Sequence, residues 1–506
     1  MGNLAQKVFS DNLKVTSGQV IFKVSSIVFL IFYARVLTPF ELSVLPIFAI
    51  IGGMSTLLFN FGLFPTLIRE VPKLLEKDKS RAISLLHTSS LIIAIGVGIF
   101  AILTFLFSGK IASIFFKEAK FSYLIKLMSL GFFLSGLNEI LTYAMRATSE
   151  FGKMVLRNIT LGITQRLLGI ALFFLWGIKG LIIGFNLGIA IGVVMSLYLL
   201  RSYIFRRFRW YPIKKLLKFS FPYYIESFLM YFRSQGDQLI VGAFLNPTAL
   251  SAYYVARRLF DNLDLFRESI AQTIAPALAK VSDSEPQRME QSFKRINNLL
   301  SYFAIPLCFL AASLSFAFVN LVGGEKYLNA MFPAAILCFT LLLYFFLTPL
   351  NGAVLVLGKP VERFKITAVQ SFSILLFLTL LIRNFGISGA AFSQLLAIAV
   401  TLVYSYFALR KLMVIRLDIR AIGNSLFASV VMASVISFAQ VIFYKLYLIP
   451  LYVFIGIFVF FLLFIKMLRN EDLEIIEDVL PMRIKSIIKF LYWLRPGLKI
   501  HVERYE

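Results

Sequence analysis

Apolar residues fill this chain in long blocks separated by short polar intervals. Fourteen such blocks run near 15–37, 41–64, 83–108, 121–145, 156–176, 180–203, 219–243, 250–276, 297–321, 331–356, 366–383, 387–409, 422–444 and 450–468. At 1.5 Å rise per residue, most reach across a hydrocarbon layer of roughly 30 Å, so each predicts a membrane-spanning helix. The intervals alternate in character. One set is basic: 65–82 carries Arg69, Lys73, Lys77, Lys79 and Arg81, and 201–218 carries Arg201, Arg206, Arg207, Arg209, Lys214, Lys215 and Lys218. The other set is short and nearly uncharged, as in Gly177-Ile178-Lys179-Gly180 and Asn246-Pro247. Counting by side places about 36 Lys and Arg on the first side, with both termini, and about 9 on the other. That bias predicts a multi-pass protein of the cell (plasma) membrane with both termini cytoplasmic.

Two blocks break the pattern. The span 219–243 carries Glu226, Arg233 and Asp237, and 250–276 carries Arg257, Arg258, Asp261, Asp264, Arg267 and Glu268, the two joined by Leu245-Asn246-Pro247-Thr248. A charge at the centre of a lone membrane helix costs roughly 2.5–3.5 kcal/mol, so this hairpin has to face protein or water. At 100° per residue, Arg257, Asp261, Asp264 and Glu268 share about 60° of arc, and Glu226, Arg233 and Asp237 about 40°. Folding at the turn matches depths: Asp237 with Arg257, Arg233 with Asp261, Glu226 with Arg267. Two readings follow. Either these are structural ion pairs that make the hairpin tolerable, or the stripe lines a wet cavity and the remaining charges meet a ligand.

Composition agrees with the membrane reading: 59% of 506 residues are hydrophobic, 15% are charged, and mean hydropathy is +0.83. The net charge of +25 is then explained by loops beside anionic lipid, and no nucleic-acid partner is expected. Cys308 and Cys338 lie in apolar spans, and His87 and His501 are far apart, so neither a disulfide framework nor a metal site is expected. Three motifs recur in order at offsets near 208 residues. Leu37-Thr38-Pro39 returns as Leu245-Asn246-Pro247, Gly152-Lys153 as Gly358-Lys359, and Gly177-Ile178-Lys179-Gly180 as Gly386-Ile387-Ser388-Gly389. Six helices per repeat predict two parallel halves, 1–210 and 211–415, followed by two additional helices over 416–469. In the tail, 470–506, the stripe Ile484, Ile487, Ile488, Leu491 and Leu494 among basic residues predicts a helix on the cytoplasmic membrane surface.

The runs Ala34-Arg35-Val36-Leu37-Thr38-Pro39-Phe40-Glu41 and Phe61-Gly62-Leu63-Phe64-Pro65-Thr66-Leu67-Ile68-Arg69-Glu70 resemble the opening of Wzx-type polysaccharide flippases. So do Leu217-Lys218-Phe219-Ser220-Phe221-Pro222 and the stretch from Glu471-Asp472-Leu473 to Leu480-Pro481. That family belongs to the superfamily holding multidrug (MATE) exporters and lipid II flippases. The resemblance implies an all-α polytopic fold of about 14 transmembrane helices, with two six-helix lobes in a V and alternating access. It also implies a transporter, not an enzyme, whose substrate is an isoprenoid-diphosphate-linked oligosaccharide. Membrane lipid and the enzymes of glycan biosynthesis would be its other partners. Cations suit a diphosphate, and guanidinium does so bidentately, which makes Lys23, Arg166, Arg233, Arg257 and Arg258 the substrate candidates. Glu226, Asp237, Asp261, Asp264 and Glu268 are then ion-pair or coupling carboxylates, with Arg267 a pairing cation. No cofactor is expected, and the acidic surplus at Asp264 and Glu268 either serves H+ or Na+ coupling or is neutralised by Arg267 and Arg258. An ion-coupled multidrug exporter is the alternative, although its first helix commonly carries a carboxylate where this one carries Lys23. A membrane glycosyltransferase or polymerase fits less well, because the longest external interval, 109–120, holds only Glu118 as an acid.

Overall fold

The structure is a computed structural model, and it describes residues 25–282, 286–443 and 448–467. Lys23 and the tail stripe 484–494 lie outside the described residues. Every regular element among the described residues is helical, and the chain divides into two compact units, Met1–Tyr254 and Val255–Glu506.

In the first unit, α1 (Ser25–Val36) is followed by Thr38, which caps α2 (Pro39–Leu42). The Glu41 amide donates to Thr38 Oγ1 at 3.3 Å, and the Thr38 amide donates back to Glu41 Oε2 at 2.9 Å. This reciprocal cap, with Pro39 at the first helical position, starts the second span cleanly and leads to α3 (Val44–Phe59). Next come α4 (Leu63–Lys77), α5 (Lys79–Leu106), α6 (Ser108–Phe115), a 3-10 turn at Ala119–Phe121, and α7 (Ser122–Ala147). The interval 65–82, expected as a basic loop, is largely α4. Its charges face outward while Leu63, Phe64, Leu67 and Val71, at helical spacing, are buried. At its start Gly62 has φ +71, and a Cβ there would sit 2.1 Å from the Ser220 carbonyl oxygen, so only glycine admits α10 (Ile213–Phe244) this closely.

Between them lie α8 (Phe151–Leu199) and the short α9 (Arg201–Ile204). At 49 residues α8 would measure roughly 73 Å, over twice the membrane core, so it must double back. It does so at Trp176 and Gly177, the latter at φ 58 and ψ −142. The two arms pack backbone to backbone. Cβ atoms added at Gly180, Gly184 and Gly188 would fall 1.8, 2.3 and 2.2 Å from Leu172 O, Leu168 O and Gln165 Cα. One small residue per helical turn is the surface that lets membrane helices approach this far.

From Pro247 runs α11 (Pro247–Ser282), which passes into the second unit with α12 (Pro286–Ser313), α13 (Ser315–Gly323), a 3-10 segment, α14 (Met331–Val356) and α15 (Pro360–Arg410). The 51-residue α15 repeats the device of α8, breaking at Gly386 (φ 55, ψ −132), 209 positions after Gly177. Its return arm again lays a stripe of small residues inward: Gly389, Ser393, Ala397, Thr401 and Ser405 are buried. The preceding turns match too. Glu150 N donates to Met145 O and Lys359 N to Val354 O, with Ser149 and Gly358 both at positive φ. The geometry thus equates Ser149-Glu150, rather than Gly152-Lys153, with Gly358-Lys359, because the left-handed turn residue sets the register.

The last two helices, α16 (Ile419–Phe443) and α17 (Ile449–Met467), fasten to α12. Ser425 Oγ donates to Ser301 O at 2.8 Å, Gln440 Nε2 donates to Ser313 O at 2.9 Å, and Phe464 packs on Tyr302. Near their start, Arg416 meets Glu290 at 2.6 Å and Lys294 meets Asp418 at 3.7 Å. Among the described residues, eight helical stretches are long and apolar enough to cross a membrane. Neither α10 nor α11 is one of them, and charge is the reason.

Candidate functional site

Three side chains fix α10 to α3 and α4. Tyr224 donates to Leu58 O and Tyr231 to Ile50 O, each at 2.8 Å, and Arg69 Nη1 donates to Tyr223 at 3.0 Å. On a helical wheel Tyr224 and Tyr231 sit roughly 140–160° from Glu226, so anchoring one face turns the polar stripe away from α3. Towards its C-terminal end Asp237 is fully buried. It accepts the Tyr253 hydroxyl at 2.7 Å and the Gln238 amide at 2.8 Å. Just above, Asn246 Oδ1 accepts the Ala249 amide at 2.7 Å, capping α11 at the hairpin turn. Arg233 lies one helical turn before Asp237. It is half-buried, its Nε is enclosed, and no hydrogen bond reaches that atom among the described residues. Glu226 is likewise half-buried.

The α11 stripe behaves differently. Asp261 faces two guanidiniums, Arg257 Nε at 3.3 Å and Arg258 Nη1 at 3.6 Å. Arg267 chelates Asp264 through Nε and Nη2, the second contact at 2.9 Å, and lies over the Tyr344 ring. Arg267 is thus the guanidinium that contacts Asp264. Arg257 also covers the Phe260 ring at 5.1 Å. Glu268 is exposed, with Arg267 as its charged neighbour.

Arg166, the remaining candidate among the described residues, reaches Ser25 Oγ at 2.9 Å and the Phe29 ring at 5.4 Å, while its carbonyl accepts Tyr33. It thereby joins α8 to α1. The same helix carries a further buried charge outside the hairpin. Arg157 of α8 is 2% exposed. It donates to Asn158 Oδ1 at 2.9 Å, to Asn138 O at 3.4 Å and to Thr142 Oγ1, and its Nε is buried without a hydrogen bond. Glu139, one turn before Tyr143 on α7, is exposed and has Arg146 and Arg157 as its charged neighbours. Arg146 covers the Tyr143 ring, which stacks on Phe64 at 4.1 Å. The signal was present in the sequence: Glu139 and Arg157 are charges inside apolar spans, the same anomaly that marked the hairpin. Across α7 and α8, Arg146, Arg157 and Arg166 stand against Glu139, a cationic surplus. Along α11, three Arg meet three acids.

The chain matches the family described as "Polysaccharide biosynthesis protein" over residues 32–332. It is 26% identical over 398 residues to an uncharacterized membrane protein in the cps region of Klebsiella pneumoniae, covering 76% of this chain and 78% of that one. It is also 26% identical over 226 residues to a probable low-salt glycan biosynthesis flippase, Agl15, of Haloferax volcanii, covering 44% of this chain and 48% of the relative. Among solved structures, the lipid II flippase MurJ in its inward closed conformation superposes with a TM-score of 0.70 at 16% identity. That match covers 89% of this chain and 97% of the other, and it establishes a shared fold. The protein is therefore a multi-pass membrane protein that belongs to the polysaccharide biosynthesis protein family.

Proposed function

We propose that this protein carries an isoprenoid-diphosphate-linked oligosaccharide from the cytoplasmic to the outer leaflet of the plasma membrane by alternating access. In this reading both termini are cytoplasmic, and the lobes 1–210 and 211–415 alternate around the substrate. The observation that carries the reading is Arg233, a half-buried guanidinium near the middle of a membrane span, on the face turned away from the tyrosine anchors. A guanidinium held there with an enclosed Nε that makes no hydrogen bond among the described residues suits an anionic guest, since a buried polar group left unsatisfied is costly. Lys23, Arg166 and Arg258 complete the proposed diphosphate contacts, with Arg258 engaging when Arg257 holds Asp261. Glu226 and Glu268 are the proposed coupling carboxylates for H+ or Na+. Similarity to the Haloferax relative, a probable low-salt glycan biosynthesis flippase, supports the same substrate class.

Deleting the protein tests the assignment in cells. Lipid-linked oligosaccharide should accumulate with its glycan on the cytoplasmic face, inaccessible to an added glycosidase until the membrane is opened. Normal delivery of glycan to the outer face in the deletion strain would refute it.

A further inference from the structure

A cavity of about 360 Å³ lies wholly within the first unit, between α5, α7 and the return arm of α8. Its walls are aliphatic, among them Leu86, Leu137, Ile140, Leu141 and Val193. Its size falls in the range of small-ligand sites. Two features define its openings. Leu91, one of the lining residues, belongs to the exposed stripe Leu91, Ile95, Ile99 and Ile102, spaced at helical repeats along an apolar span. An exposed aliphatic stripe on a membrane-spanning helix faces lipid, so the cavity has a side door onto the bilayer. At one end it is roofed by the segment after α9. His87 Nε2 lies 3.0 Å from Tyr203 O, the Phe208 ring stacks parallel on the imidazole, and the Tyr211 amide donates to Thr88 Oγ1 at 2.9 Å. That roof is the basic linker, and its Arg206 stands at the rim, exposed, with Nε donating to Ser202 O at 3.0 Å. Among the described residues Arg206 makes that one hydrogen bond, through Nε, so its two terminal nitrogens can meet an anion at the membrane–water boundary.

We infer that this cavity seats one acyl chain of an anionic glycerophospholipid, whose phosphate lies at Arg206. None of its lining residues belongs to α10 or α11. Inside a bilayer an acyl chain leaves one hydrocarbon surrounding for another, so chain burial alone selects nothing. Selection has to come from the headgroup, and one basic residue near the surface is worth about five-fold in favour of an anionic lipid.

The full-length protein in phosphatidylcholine nanodiscs, doped with phosphatidylglycerol or phosphatidylcholine bearing a photoactivatable acyl chain, gives the test. Cross-linked peptides should map to the α5 stretch 86–94 and the α7 stretch 137–148, with phosphatidylglycerol labelling about five-fold above phosphatidylcholine. Arg206→Gln, at an exposed position, should abolish that preference, and Ala94→Phe should block labelling by filling the cavity. Equal labelling by the two lipids, an Arg206→Gln protein that keeps the preference, or labels outside both stretches would overturn the site. So would displacement by a polyprenyl phosphate at lower concentration than by phosphatidylglycerol, which would assign the cavity to a carrier lipid. None of these readouts involves transport, so their failure leaves the flippase reading standing.

Discussion

The two arms of the hairpin carry similar kinds of charge and treat them in opposite ways. On α11, Arg257, Arg258 and Asp261, and then Asp264 and Arg267, are spaced three or four residues apart, and each acid is taken up by a neighbour on the same helix. On α10, Glu226 and Arg233 are seven residues apart, about 10.5 Å along the axis, and no ion pair joins them among the described residues. Asp237, the acid one turn from Arg233, is engaged by Tyr253 and the Gln238 amide. Spacing therefore lets α11 pair Asp261 and Asp264 within itself, with Glu268 exposed, while α10 keeps Arg233 Nε without a hydrogen bond among the described residues. The number of charges is a poor guide to function in a membrane, and the number left over after local pairing is a better one.

The largest effect should come from breaking the self-neutralised arm. Arg267→Met leaves Asp264 half-buried and bare, and unfolding in detergent should be easier by about 3–5 kcal/mol. Adding Asp264→Leu should recover most of the loss, since an apolar pair of similar volume replaces a buried ion pair at little cost. A double variant as unstable as the single one would mean that Asp264 does not depend on Arg267. On α10 the expectation reverses. Arg233→Ala should leave stability unchanged and lower transport about 10- to 100-fold, the worth of a charge-assisted hydrogen bond to substrate.

Smaller effects separate the anchors from the stripe. Tyr253→Phe removes the hydroxyl donor to buried Asp237 and should cost about 1.5–3 kcal/mol, read as a lowered Tm. Tyr231→Phe removes a neutral hydrogen bond to Ile50 O and should cost about 0.5–1.5 kcal/mol, with transport per folded molecule intact. If Tyr231→Phe instead lost transport without losing stability, the anchor face and the stripe would not be distinct.

Much of the architecture was legible because its punctuation is local. Thr38-Pro39 with Glu41, Asn246-Pro247 and Gly386 each fix a cap or a break through their own side chains or backbone freedom, and the structure uses each one so. The helix α4 was not legible as such, because its charges mark an interval while its buried face, Leu63, Leu67 and Val71, is too sparse to read as a block. Only that face, packed against its own unit, makes it a helix. The hairpin stood out as a candidate for the same reason that a charge in lipid is costly. Arg157 and Glu139 obeyed that rule equally, yet the meeting of Arg157 with Thr142 and Asn138 depends on how α7 and α8 pack, which no spacing along one helix reveals. The glycine stripe of α8 carries the matching lesson, since Gly184 and Gly188 become necessary only when the first arm lies against them.

The central claim is that Arg233 serves a substrate and not the fold, and reconstitution tests it most directly. Purified wild-type, Arg233→Ala and Arg233→Lys proteins in liposomes would be compared for inward-to-outward movement of a fluorescent polyprenyl-diphosphate oligosaccharide, with folded yield and Tm measured on the same preparations. The account predicts flipping reduced about 10- to 100-fold in Arg233→Ala and partly restored in Arg233→Lys, at wild-type yield and Tm. Wild-type flipping by Arg233→Ala, or a loss of flipping that merely follows a loss of folded protein, would contradict it.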